Sequence, residues 1–143
     1  MNRKQISNFL NQIIPGIKFD FRYVSDRWCE GSPAAVNNEC IICLNRKTFR
    51  TFPDLEQKGI LMHEVGHILI GDFKSAVDVE YFAQIMALGL AKKNGWKKIY
   101  QELHRSFNEW AEDFGWNAEH GTFRRYILAG KRYKCLQDKH KLI

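Results

Sequence analysis

Residues 63 to 67 read His63-Glu64-Val65-Gly66-His67, and they sit inside the apolar stretch from Leu61 to Ile70. Leu61, Val65, Ile68 and Leu69 recur at the spacing of a helix, so one side of that helix has to be buried. Steps of about 100° leave residues 63 and 67 about 40° apart around the axis and about 6 Å apart along it. Both imidazoles can then reach one ion. Few features constrain a chain as much: the stretch must be a helix, and one of its faces must pack while its histidine pair stays together.

The chemistry follows from the residue types. Zinc binds neutral imidazole nitrogen at about 2.0–2.1 Å, and a site with three protein ligands keeps a fourth place for water. The ion lowers the pKa of such a water toward about 7, and a carboxylate beside it can act as general base. His63 and His67 are therefore candidate zinc ligands and Glu64 the candidate base, the H-E-x-x-H arrangement of zinc metallopeptidases. The metzincin spacing needs glycine at 70 and histidine at 73; here Ile70 and Phe73 stand there, which excludes that class.

A glutamate on the following helix is the other common source of a third ligand. Glu80 follows the Gly71-Asp72-Phe73-Lys74 turn, and Asp78 is its rival. Two residues apart on a helix, they point about 200° apart and cannot both face the ion. Gln84, one turn beyond Glu80, shares its face and can hold a histidine N–H, whereas the residue one turn beyond Asp78 is apolar Phe82. Glu80 is the expected ligand and Asp78 the alternative.

The remaining pattern describes one domain over residues 1–143, with a metallopeptidase-like core to about residue 94 and a helical extension from about 95 to 143. Ile6, Phe9, Leu10, Ile13 and Ile14 form an amphipathic helix stopped by Pro15-Gly16. From Ile17 to Tyr23 apolar and polar residues alternate as in a half-buried strand. Ala34–Val36 and Glu39–Leu44 flank Asn37-Asn38, a hairpin whose asparagines suit positive φ. Asp54 is placed to cap the zinc-motif helix, expected over 55–70, and Gly66 implies close approach of another backbone, the neighbouring strand being the expected one. Helices from Ser75 to about Asn94, through the stripe Trp96 to Phe114, and from Thr122 to Leu136 complete the chain.

Cys29, Cys40, Cys43 and Cys135 are expected to be buried or idle thiols, because residues 40 and 43 of one strand point to opposite faces. The N-terminus does not read as a secretory signal and no apolar run reaches a membrane span, so a cytoplasmic protein without a membrane partner is expected. Net charge is +6, and much of the excess falls at Arg124, Arg125, Lys131, Arg132, Lys134, Lys139 and Lys141, a basic end that could meet nucleic acid.

The strand Cys40-Ile41-Ile42-Cys43-Leu44-Asn45, the segment Met62 to Gly71 around the two histidines, and Asp78-Val79-Glu80-Tyr81-Phe82-Ala83 together resemble the ImmA/IrrE group of metallopeptidases, compact relatives of the gluzincins. The resemblance covers about a third of the chain. It implies His63 and His67 as ligands and Glu64 as base. Aligning Phe82-Ala83 with that group's F-A would favour Asp78 as the third ligand, and Met62 stands where the group usually has alanine. It also implies a transcriptional repressor or other regulatory protein as substrate.

The expectation is thus an α+β, zincin-like domain, a sheet of about three strands packed on the active-site helix, carrying one Zn2+ and hydrolysing peptide bonds. The strand Ile41 to Leu44 is expected beside the cleft, and Tyr81, His104 and His120 are candidates for oxyanion stabilisation. The alternatives are a non-catalytic, zinc-stabilised regulatory protein using its basic end to bind nucleic acid, and a zinc hydrolase acting on a non-peptide bond.

Overall fold

A computed structural model of the protein describes residues 1–71 and 76–114, with the side chains of 76–78 and 110–114 excepted. The expected helix over 122–136, Cys135, His120 and the late basic residues lie outside the described residues, as does the side chain of Asp78.

The architecture is α+β: the described residues form three strands and five helices, with a further short 3-10 turn at Phe49–Thr51. Helix α1 (Arg3–Ile13) is closed at its start by a capping box, in which Asn2 Oδ1 accepts from Gln5 N–H at 2.9 Å and Gln5 Oε1 from Asn2 N–H at 2.8 Å. Its Ile6, Phe9, Leu10 and Ile13 are buried. Strand β1 (Phe21–Val24) is shorter than the alternation suggests, because its parallel partner begins opposite Phe21. The one-turn helix α2 (Asp26–Cys29) fills what the sequence leaves as loop, with Ser25 Oγ accepting from Trp28 N–H.

Strands β2 (Ala34–Val36) and β3 (Ile42–Asn45) form the expected hairpin, and the sheet order is β1-β3-β2 with β1 parallel and β2 antiparallel to β3. The turn runs longer than two residues: Asn37 Oδ1 accepts from the amides of Glu39 and Ile41, and the positive φ falls on Cys40 at 61° rather than on an asparagine. β3 is therefore the buried central strand. The expectation that residues 41–44 flank the cleft is overturned: β3 is paired on both sides, and of the two edge strands it is β2 that lines the cleft. Buried Asn45 at the end of β3 donates to Asp26 and to the Ser32 carbonyl and accepts from the amides of Lys47 and Thr48, which ties the strand to α2 and both loops.

Helix α3 (Asp54–Ile70) carries the histidines at the centre of the molecule, packed by α4 (Ala76–Lys93), α5 (Lys97–Phe114), α1 and β2. Asp54 is not its cap. Pro53 holds that place, and the Asp54 carboxylate instead accepts from the Met1 amino group at 3.0 Å, as does Gln57 Oε1. Gly71 ends the helix at φ 69°, its N–H on the His67 carbonyl. Gly66 does meet another backbone, but it is a helix and not a strand: a Cβ there would run into the carbonyl oxygen of Ala83 on α4 and lie 2.9 Å from its carbon. No described helix is long and apolar enough to cross a membrane.

Candidate metal centre

The crossing of α3 over α4 at Gly66 sets the height at which side chains from the two helices meet. Just beside it, His63 Nε2 lies 2.8 Å from Glu80 Oε2 and 3.0 Å from His67 Nε2, and His67 Nε2 lies 3.2 Å from Glu80 Oε1. The rings of His63 and His67 stand nearly perpendicular at 85°. Among the described residues this is the one group of three such side chains able to hold a metal ion. Glu80 is brought to the histidines, and Asp78 lies two residues earlier on the same helix.

Gln84 takes the part its spacing suggests. It is fully buried, its Nε2 donates to the Leu103 carbonyl of α5 at 2.6 Å, and its Oε1 lies 2.8 Å from His63 Nδ1. A carbonyl can only accept, so the amide nitrogen must face Leu103 and the amide oxygen must face His63. The neutral His63 ring then carries its proton on Nδ1 and turns the Nε2 lone pair toward His67 and Glu80. The His63 nitrogen and the Glu80 carboxylate, two acceptors this close, repel unless a proton, such as one on His67 Nε2, or a cation lies among the three groups. A tetrahedral ion with bonds of about 2.0–2.1 Å holds its ligand atoms about 3.3 Å apart, so the group need open by only a few tenths of an ångström to take one. The residues fit a metal ion.

The two carboxylates of the centre differ in their surroundings. Burial opposes ionisation of Glu80, but when no ion is bound and both rings are protonated, hydrogen bonds from His63 and His67 and the charge of the two rings outweigh it and hold the carboxyl well below the usual range. Glu64 is 6% exposed, and burial pushes its carboxyl up to about 7; the charge of His67 pulls the other way and that of Glu80 adds to the rise.

A cleft of about 1000 Å³ opens over these groups. Its floor includes His63, Glu64, His67 and Glu80, and its far wall runs from Ser32 through β2 to Asn38 and Cys40. In the β2–β3 ladder Asn45 N–H donates to the Pro33 carbonyl and Asn37 N–H to that of Ile41. The hydrogen-bonded pairs are therefore Pro33–Asn45, Ala35–Cys43 and Asn37–Ile41, and the amides of Ala34 and Val36 point to the edge that is unpaired among the described residues. This wall was missed in the sequence, where Ala34–Val36 reads only as a hairpin arm; the Ser32-Pro33 break before a run of small side chains is the signal it left.

Neither Tyr81 nor His104 lines the cleft. Tyr81 is buried against Phe82 and Phe107, and burial raises its phenol; His104 lies exposed beside Asn108. Of the three oxyanion candidates, Tyr81 and His104 thus lie away from the cleft and His120 lies outside the described residues. The thiols form no metal group among the described residues: Cys40 is exposed in the turn, Cys43 and Cys29 are buried, and burial pushes the Cys29 thiol up, with Cys43, Glu64 and Asp26 adding. No protein-family model, no curated protein and no solved structure matches the chain.

Proposed function

We propose that the protein is a zinc-dependent endopeptidase of zincin-like design, with His63, His67 and Glu80 holding the ion and Glu64 as general base. The observation that carries this reading is the convergence of two imidazole nitrogens and a carboxylate within 2.8–3.2 Å, with the His63 tautomer set from behind by Gln84 and a buried carboxylate next in sequence. A surface ion pair needs none of these. When bound, the ion would acidify a water and polarise a substrate carbonyl.

The chain's own groups supply the rest. A carboxylate in an apolar setting holds a proton more readily than one in water, which suits Glu64 to take the proton of the attacking water and hand it to the departing amide nitrogen. The outward amides and carbonyls of Ala34 and Val36 offer an extended peptide a strand to pair with, along the wall facing those groups. The ImmA/IrrE resemblance supports the same reading and suggests a regulatory protein, cleaved in the cytoplasm, as substrate.

The test is Glu64→Gln, assayed with a panel of unstructured peptides and with nucleotides and amidated small molecules. Peptide hydrolysis should fall by about 10²–10⁴-fold while bound zinc stays at one per chain. Cleavage of only the non-peptide compounds would reassign the reaction, and a variant with unchanged biological effect would return the chain to a non-catalytic, zinc-stabilised role.

A further inference from the structure

Helix α5 reaches the centre twice through one turn. Leu103 supplies the carbonyl that orients Gln84, and the same turn lies over Gly59 of α3, one helical turn before His63. A Cβ at Gly59 would sit 3.4 Å from Glu102 Cγ and 3.9 Å from Leu103 Cδ2, so α5 is seated on the bare backbone of α3. Arg105, which pairs with Glu102 and Glu109, lies within 4.0 Å of Glu56 and continues the seam on the outside.

What α5 decides is the sense of an amide. The two ends of a glutamine head are nearly the same size, and nothing in its shape says which should face His63. With Nε2 turned inward the amide would donate to Nδ1, the ring proton would move to Nε2, and the lone pair needed for an ion would be gone. The Leu103 carbonyl removes that choice, because it accepts and cannot donate.

We propose that the docking of α5 sets the affinity of the centre for its ion, with Gln84 as the positioning residue between them; this rests on the metal reading above. Coupling of this kind is reciprocal, so the bound ion holds α5 down as α5 holds His63 in its ligating tautomer. A segment or partner that lifts α5 would then release the metal without touching a ligand.

The experiment measures Zn2+ affinity by competition with a chromogenic chelator, and amide hydrogen exchange of α5 with and without Zn2+, for wild type, Gln84→Leu, Gly59→Ala and Gly59→Val. Gln84→Leu should bind Zn2+ about 10–100-fold more weakly. Gly59→Val, which forces α5 away, should lose about fivefold or more, whereas Gly59→Ala should stay within about twofold. Zn2+ should slow exchange across residues 99–107 in wild type and not in Gln84→Leu. If Gln84→Leu does not fold, Gly59→Val decides. Folded Gln84→Leu and Gly59→Val proteins with wild-type affinity, or α5 amides indifferent to Zn2+, would overturn the coupling while leaving the metal centre intact. A wild type that binds no Zn2+ would overturn the metal reading, and this coupling with it.

Discussion

The two walls of the centre are built on opposite principles. The inner wall, toward α4 and α5, is made of groups with a single permitted arrangement: Gly66 against the Ala83 carbonyl, and the chain His63–Gln84–Leu103, all buried. Among the described residues the outer wall is a strand with one edge unpaired, a turn held by Asn37, and His67, whose ring has no anchor comparable to Gln84. One side holds ligands still and the other leaves hydrogen-bonding capacity for something that comes and goes. On the proposed reading, a site that must grip an ion and release a chain needs both, and the division assigns each wall its task.

The largest effect should come from breaking the inner wall at its tightest point. Gly66→Ala drives a methyl into the Ala83 carbonyl, and neither helix backbone can yield without moving the ligands it carries. About 3 kcal/mol or more of stability should be lost, read by chemical denaturation, together with Zn2+ binding. A variant as stable as wild type would show that the two helices can separate freely, and the contrast between the walls would fail.

A second comparison sets one histidine against the other. His63→Ala and His67→Ala should both abolish metal binding, but only the first strands the buried Gln84 oxygen without its donor. The metal-free His63→Ala protein should therefore be less stable than His67→Ala by about 1–3 kcal/mol. Equal stabilities would mean that the tautomer lock contributes nothing to the fold.

On the outer wall the change should appear in binding and not in the fold. Val36→Pro deletes an amide that points to the open edge and takes part in no ladder bond, a place where an edge strand accepts proline. We expect KM for an extended peptide to rise about tenfold, equivalent to about 1.4 kcal/mol, with kcat, zinc content and melting temperature nearly unchanged. A fall in kcat with KM unchanged would place the peptide elsewhere in the cleft.

The inner wall was the legible one. The spacing of His63, His67, Glu80 and Gln84 is set by helix geometry alone, so their meeting could be read from residue numbers once two helices and a short turn were recognised. The resemblance pulled toward Asp78, whose side chain lies outside the described residues; among those described, the Glu80 carboxylate lies on both histidines. What could not be read is what depends on which element packs where. Gly66 announced a close neighbour without saying whether it was strand or helix, and Gln84 showed its histidine partner but not Leu103, 19 residues further on. The exchange of β2 for β3 at the cleft has the same origin, since periodicity gives the faces of a strand and not its place in the sheet order.

The smallest effect tests the turn at the end of the outer wall. The asparagines at 37 and 38 suit positive φ, yet Cys40 adopts it at 61°, while Asn37 spends its side chain accepting from the amides of Glu39 and Ile41. A left-handed conformation costs an ordinary side chain about 1 kcal/mol and an asparagine less, so Cys40→Asn should stabilise the protein by about 0.5 kcal/mol. Asn37→Ala should cost about 1 kcal/mol by leaving both amides without their acceptor. If the turn is only a wall, neither change should alter zinc content, and Cys40→Asn should leave kcat/KM within about twofold. A large loss of activity in Cys40→Asn, with stability raised as expected, would show that the outer wall contributes a side chain to the reaction and not merely an edge for the substrate to lie on.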